Sequence, residues 1–256
     1  MVVTDKFVYV HQPKTGGTFV ESILKRVHKS MNYQLTEKIN NFKLTGSLSG
    51  IKMVRNGPGK NQHGRVIDIP KKYSKLKILA TVRNPFDRYV SQYKFNFWKN
   101  GFPKIIRNKE LMEHFPKFPD ISFKNYIYLV NDILPKYQKR IDIFGYQTYQ
   151  FFRQYTNIDV NKIDQRQIIK NINQYFNNIY FISTANLNEG LYNFLLDFNY
   201  PEDKIGFILH EKKIYPPEGG RKEDDNWEKY YDDELYQYVV KKENILLSFL
   251  YGKKIL

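Results

Sequence analysis

KFVYVH (residues 6–11) and the QPKTGGT that follows it (residues 12–18) carry the strongest signal for the fold of this chain. The first half of this stretch is short, apolar and rich in β-branched and aromatic side chains, which predicts a buried strand. From Thr18 onward, apolar residues recur at helical spacing, at Phe19, Val20, Ile23, Leu24 and Val27. The stretch therefore predicts a strand, a glycine-bearing loop and a helix in direct succession.

Two more segments predict buried strands, KILATV (residues 77–82) and NIYFIS (residues 178–183). Strands that alternate with helices predict an α/β fold, with a central parallel sheet flanked by helices, and the strands at 6–11 and 77–82 should end at the same edge. The chain shows no repeat, linker or composition shift, so we expect one domain over residues 1–256. The predicted further helices cover 86–98, 123–134 (ended by Pro135), 146–155, 163–175, 187–198 and 232–250.

The composition narrows the classes of partner and chemistry. Lys and Arg together number 41 against 26 Asp and Glu, a net charge of +15, which favours an anionic partner such as a nucleotide or an acidic glycan. A merely lysine-rich composition is the alternative. The absence of Cys excludes a disulfide scaffold, Cys-ligated zinc and a thiol nucleophile. With no membrane-length apolar run and no signal-peptide pattern, we expect a soluble, cytoplasmic protein without a membrane span.

The loop after the first predicted strand has the composition of an anion site. Gly16 and Gly17 allow backbone N–H groups to converge on an anion at the start of a helix, where the helix dipole adds positive charge. Lys14 adds a full charge, and Thr15 and Thr18 add hydroxyl donors. An ordinary glycine turn beside a surface lysine is the alternative interpretation.

The order of residues in this loop differs from that of a nucleotide-triphosphatase loop. That motif places Lys after its glycines, next to a metal-binding hydroxyl. Here Lys14 precedes Gly16 and Gly17, and no second strand ends in an obvious metal-binding Asp. We therefore expect phosphate binding without a metal.

PKTGGT after a strand resembles the 5′-phosphosulfate loop of carbohydrate sulfotransferases, and VRNPFDRYVS (residues 82–91) resembles the second signature of that family. The resemblance implies a P-loop-like sulfotransferase fold and 3′-phosphoadenosine 5′-phosphosulfate (PAPS) as co-substrate, with transfer of its sulfuryl group to a hydroxyl, on a carbohydrate or another acceptor. It implies that the 3′-phosphate is held by Arg83 and Ser91. It also implies that the rest of the donor is held by Pro13, Lys14, Thr15, Gly16, Gly17 and Thr18.

Transfer needs a cation at the leaving phosphate and a base for the acceptor hydroxyl. We assign the first role to Lys14. We assign the second to His63, because histidine commonly acts as a base near neutral pH, and the resemblance to the glycan branch implies a His in this neighbourhood. A loop histidine at the surface is the alternative, and Glu110 and Glu113 are then the next candidates. We interpret His11, which closes the first predicted strand, as a packing or loop-orienting residue.

Basic residues outside the two motifs suggest further contacts. An anionic acceptor could be bound by Arg55, Lys60 and Arg65. A lid over the nucleotide could be formed by Arg221 and Lys222. A solvated basic loop is the alternative in both places. Within the second motif, we interpret Asp87 and Arg88 first as helix-start and ion-pair residues, and second as ligand contacts.

Two other classes of function remain open at this point. A kinase or other phosphotransferase can use the same layered fold, although the position of Lys14 and the missing metal carboxylate argue against it. A non-enzymatic binder of polyanions would explain the charge but would leave both motifs as coincidence. Nucleic acid is not the expected partner.

Overall fold

The computed structural model describes residues 1–30, 52–53, 63–139, 144–159, 161–162, 164–212, 214 and 226–256. Within these residues the chain forms a five-stranded sheet. Its strands, in chain order, are β1 (Val2–Val3), β2 (Phe7–His11), β3 (Lys52–Met53), β4 (Lys77–Val82) and β5 (Ile179–Ser183). They lie side by side in the order β3-β1-β2-β4-β5.

The three long strands are parallel and adjacent. Val10 of β2 lies opposite Ala80 of β4, and Ala80 lies opposite Phe181 of β5. The predicted α/β fold with a central parallel sheet is therefore confirmed, and each predicted strand is found within one residue of its expected bounds. The two-residue strands β1 and β3 pair antiparallel at one edge. They were not predicted, because two residues are too few to show a periodic pattern.

Helices surround this sheet. In chain order they are α1 (Gly17–Ser30), α2 (Pro85–Lys94), α3 (Phe97–Gly101), α4 (Asn108–His114), α5 (Phe123–Tyr128), α6 (Leu134–Tyr137), α7 (Tyr146–Tyr155), α8 (Gln165–Tyr175), α9 (Leu187–Asp197), α10 (Glu202–Ile205) and α11 (Asp233–Gly252). Among the described residues, no helix combines the length and the apolar character needed to cross a membrane.

Two helix predictions were wrong in detail. The helix expected over 86–98 ends at Lys94, because Asn96 adopts a left-handed backbone with φ 59° and α3 starts anew after it. The helix expected over 123–134 passes through a π-helical turn at Leu129–Ile133 and continues as α6. Pro135 lies in the first turn of α6 and does not end the helical segment, which continues to Tyr137.

Both faces of the sheet are covered, which explains why its strands are apolar throughout. Val8 and Val10 of β2 pack with the core formed by α7, α8 and α11, whereas Phe7 and Tyr9 pack with the core formed by α1 and α9. A third core is formed by the helices from α2 through α6 together with α11. The site described next lies at one end of this sheet, where the parallel strands end.

Candidate functional site

The carboxyl ends of β2, β4 and β5 lie side by side. His11, the last residue of β2, is in register with Thr81, and Val82 at the end of β4 is in register with Ser183 at the end of β5. The loops that follow these strands therefore meet at the carboxyl-terminal end of the parallel sheet. We call residues Gln12–Gly17 the phosphate loop.

The phosphate loop has an unusual backbone. Lys14 has φ 70° and Gly16 has φ 81°, both in the left-handed region, which is unfavourable for a lysine and has to be held by its surroundings. The Gly16 carbonyl accepts the N–H of Val20 at 3.2 Å and so begins α1. A Cβ on Gly17 would lie 2.2 Å from the His11 ring, so only glycine permits this approach. The first N–H groups of α1 have no partner within the helix and suit an anion.

The two threonines of the predicted site lie in different environments. Thr15 is buried, and its hydroxyl donates to the Gln12 carbonyl at 2.8 Å and lies 3.1 Å from the hydroxyl of Thr81. The Thr81 hydroxyl in turn lies 3.0 Å from that of Tyr9. Thr18 is exposed in the first turn of α1. The side chain of Thr15 thus fastens the phosphate loop to β4, and the hydroxyl of Thr18 is the one that faces solvent.

Lys14 and Arg83 lie together, as predicted from the two strand ends. The Arg83 guanidinium donates to the Lys14 carbonyl at 3.4 Å. The Lys14 ammonium lies 3.8 Å from the centre of the Phe95 ring, a cation–π contact. Burial first, and then the charge of Arg83, lower the pKa of Lys14 to about 8. Both causes act against its charged form, so an anion bound here would be expected to raise this pKa again.

The second motif places three polar side chains along α2. Asn84 caps the helix by accepting the N–H of Phe86 at 3.0 Å, and Pro85 occupies its first turn. The Arg83 guanidinium pairs with Asp87, and Ser91 lies one turn after Asp87 on the same side of the helix. Arg83 and Ser91 therefore lie on the same side of α2, and Ser91 is buried.

The expected ion pair at Arg88 is absent from the described part of the chain, so that interpretation was wrong. Arg88 is buried, and its Nε donates to the Pro13 carbonyl at 3.2 Å. Its other nitrogens donate to the amide oxygens of Gln147 and Gln150, the latter at 2.8 Å. The sequence did not reveal these partners, because both glutamines come from α7 and no local pattern links them to α2.

His63 lies beside the end of β2. Its ring centre is 4.7 Å from that of His11, in an edge-to-face arrangement. The Gln154 amide of α7 donates to the carbonyls of His11 at 3.3 Å and Gly64 at 2.7 Å, which ties the two segments together. Burial, followed by the positive charge of the N-terminus, lowers the pKa of His63 to about 4. The ring is therefore neutral at neutral pH, the form in which it can accept a proton.

The remaining predicted residues lie elsewhere. Arg65 is bound to Asp68 across a short 3-10 turn, with 3.4 Å between Nε and the carboxylate. Glu110 on α4 pairs with Arg107 at 2.7 Å. Arg55, Lys60, Arg221 and Lys222 lie outside the described residues.

The chemistry of this group of residues fits a ligand with several phosphates. Positive charge at the carboxyl ends of the parallel strands comes from Lys14, Arg83 and the start of α1. The buried charge of Arg88 lies next to the phosphate loop, at Pro13. Asp87, the acidic side chain among them, is paired with Arg83. Where the structure describes the chain, no group of three or more acidic or histidine side chains could hold a metal ion.

Comparison with known families decides what this site belongs to. A family model described as "Sulfotransferase family" matches residues 1–242 of the 256. The chain belongs to the sulfotransferase family. The prediction of a PAPS-dependent sulfotransferase is thereby confirmed at the level of the family. The carbohydrate branch is a finer assignment and is taken up below as a proposal.

One solved structure similar to this sulfotransferase is that of mouse sulfotransferase SULT7A1 complexed with PAP. The two are 13% identical, and the match covers 93% of this chain and 84% of the mouse chain, with a TM-score of 0.47. None of the curated proteins matches this sulfotransferase significantly.

Proposed function

We propose that this chain, acting as a single domain, transfers a sulfuryl group from PAPS to a hydroxyl of a carbohydrate. The observation that carries the proposal is the contact between Arg83 and the Lys14 carbonyl at 3.4 Å. It joins two motifs that are far apart in sequence into one cationic site, with a loop for the 5′ end of the nucleotide and an arginine for the 3′-phosphate. The family match supports the same reaction.

The donor is held from two sides in this proposal. The phosphate loop and Thr18 bind the 5′ end through backbone N–H groups and the charge of Lys14. Arg83 and Ser91 bind the 3′-phosphate, and Arg83 then exchanges its contact with Asp87 for charge-assisted hydrogen bonds to phosphate. A lid over the nucleotide is proposed for Arg221 and Lys222, which lie outside the described residues.

PAPS supplies an activated sulfuryl group whose bond from sulfur to the 5′-phosphate oxygen breaks during transfer. Lys14 stabilises the negative charge that develops on this oxygen. A ring nitrogen of His63 accepts the proton of the acceptor hydroxyl, whose oxygen forms the new bond to sulfur. The products are adenosine 3′,5′-bisphosphate (PAP), a sulfate ester and protonated His63, which returns its proton to solvent.

The acceptor side of the proposal depends on charge and on the resemblance to carbohydrate sulfotransferases. The net charge of +15 favours an acidic glycan over a neutral one. Arg55, Lys60 and Arg65 are the residues proposed to grip it. Arg65 would then exchange its contact with Asp68 for the acceptor, at little cost because the pair is partly exposed.

An activity screen with labelled PAPS tests this function. The full chain is incubated with glycans, peptides and small alcohols, with and without a chelator of divalent metals. Labelled glycan, formed equally in both conditions, supports the proposal. Labelled peptide or alcohol alone would reject the carbohydrate acceptor. Dependence on magnesium would favour the phosphotransferase, and salt-sensitive glycan binding without turnover would favour the polyanion binder.

A further inference from the structure

Arg88 is the most deeply buried cation of the described site. Only 2% of its surface is exposed, although arginine is rarely buried without a partner of opposite charge. All three of its donor nitrogens are engaged, by the Pro13 carbonyl and by the amide oxygens of Gln147 and Gln150. Its hydrogen bonds are thus satisfied by neutral groups alone.

Arg88 forms no direct ion pair with a carboxylate in the ranges that the structure describes, although the buried carboxylate of Glu243 attracts its charge. Other arginines there do have acidic partners, namely Arg26, Arg65, Arg83 and Arg107. The nearby buried Glu243 accepts instead from the backbone of Gln147 at 3.0 Å, and from Thr148 at 2.7 Å. A buried guanidinium stays charged, and its desolvation is costly unless an anion compensates.

The position of Arg88 joins the two halves of the donor site. It belongs to α2, the helix that carries Ser91 and follows Arg83. Its hydrogen bond to the Pro13 carbonyl fixes the peptide immediately before Lys14, the residue whose backbone is held in the left-handed region. A displacement of α2 would therefore be transmitted to the phosphate loop through one side chain.

We propose that Arg88 is a positioning residue for sulfuryl transfer, which braces the phosphate loop through Pro13 while its buried charge is compensated by the phosphates of the bound donor. The inference rests on the proposed function, because it requires a polyanionic donor in this site. It assigns two roles to Arg88, a mechanical one and an electrostatic one, and different substitutions separate them.

The first experiment measures PAP affinity by calorimetry for Arg88→Gln and Arg88→Lys in the full chain. Arg88→Gln should weaken binding by about tenfold or more, the scale of a charge interaction in a partly buried site. Arg88→Lys should recover part of this loss of affinity, because lysine restores the charge but not the three hydrogen-bonding nitrogens of the guanidinium. Arg107→Gln, which removes the same charge from the surface, should bind like the wild type.

The second experiment cancels the charge while keeping the brace. Gln150→Glu preserves an acceptor for Arg88 but gives it an acidic partner, so the protein should remain folded with an equal or higher melting temperature. PAP affinity should nevertheless fall by about three- to tenfold, since the field of Arg88 is then neutralised. Gln167→Glu makes the same charge change on the exposed side of α8 and should have no effect.

The outcomes distinguish this inference from the function on which it rests. Wild-type affinity in both Arg88→Gln and Gln150→Glu would overturn the role of Arg88 and leave the donor site intact. Wild-type affinity in Gln150→Glu alone would overturn the electrostatic role. A wild-type chain that fails to bind PAP would overturn the proposed function itself.

Discussion

The phosphate loop and the segment His63–Asp68, which we call the base segment, meet at the end of β2 but are held in different ways. The phosphate loop follows its strand directly and is fastened to the next strand by the Thr15 hydroxyl at Thr81. The base segment is held by α7, through the bond from Gln154 to the Gly64 carbonyl, and by the ring of His11. The loop proposed to bind the donor therefore continues directly from its own strand, whereas the position of the proposed base His63 depends on contacts with α7 and with the end of β2.

The largest effect that would test this contrast is on the phosphate loop. Lys14→Ala should lower turnover by about a hundredfold to a thousandfold, as expected when a donor to a developing negative charge is lost. PAP affinity should change far less, because the charge matters most in the transition state. Steady-state kinetics and calorimetry measure the two quantities. Equal losses in turnover and PAP affinity would instead make Lys14 a ground-state binding residue.

A slightly smaller effect is expected in the base segment. His63→Ala should lower turnover by about a hundredfold, the usual contribution of a positioned base, and should leave PAP affinity intact. The lowered pKa of His63 places the acid limb of kcat/KM near pH 4, and this limb should vanish in the variant. His114→Ala, at the exposed end of α4, is the matched control. If His63→Ala keeps the wild-type rate, the base lies elsewhere, with Glu110 and Glu113 next in line.

Substitution of Arg83 should selectively weaken the binding of ligands that carry a 3′-phosphate. Arg83→Ala should weaken PAP by about tenfold to a hundredfold, the range for a lost hydrogen bond between charged groups, while AMP affinity changes little. PAP should also raise the melting temperature of the wild type more than AMP does. Arg107→Ala serves as the control. Equal wild-type affinity for PAP and AMP would show that Arg83 and Ser91 form no 3′-phosphate site.

The smallest predicted effect is a dependence of PAP binding on pH. A lysine with an ordinary pKa stays charged beyond pH 10, but the pKa of Lys14 is about 8. Its charge is present below this value and is lost as the pH rises through it, so PAP affinity should fall by a few-fold between pH 7 and 9. Lys14→Arg should remove this dependence, since arginine stays charged. A steeper fall in Lys14→Arg than in the wild type would assign the titration to another group.

Local sequence patterns were sufficient to predict those features that depend on residues close together in the chain. The strands at 77–82 and 178–183 and the helix after the phosphate loop follow from apolar periodicity, and the shared edge of Lys14 and Arg83 follows from parallel pairing. The break at Asn96 did not follow, because asparagine enters the left-handed region only when its surroundings favour it. Pro135 was misassigned because a proline near a helix end can either stop one helix or begin another.

Local sequence was enough to predict the layered fold, the family and the two motifs of the proposed donor site, because strand, glycine loop and helix each leave a pattern within a few residues. Only the tertiary structure decided how that site is held. The buried Arg88, its partners Gln147 and Gln150, and the tie from Gln154 to His11 and Gly64 join segments far apart in the chain. Such contacts depend on which faces pack together in three dimensions, and no spacing along the chain records them.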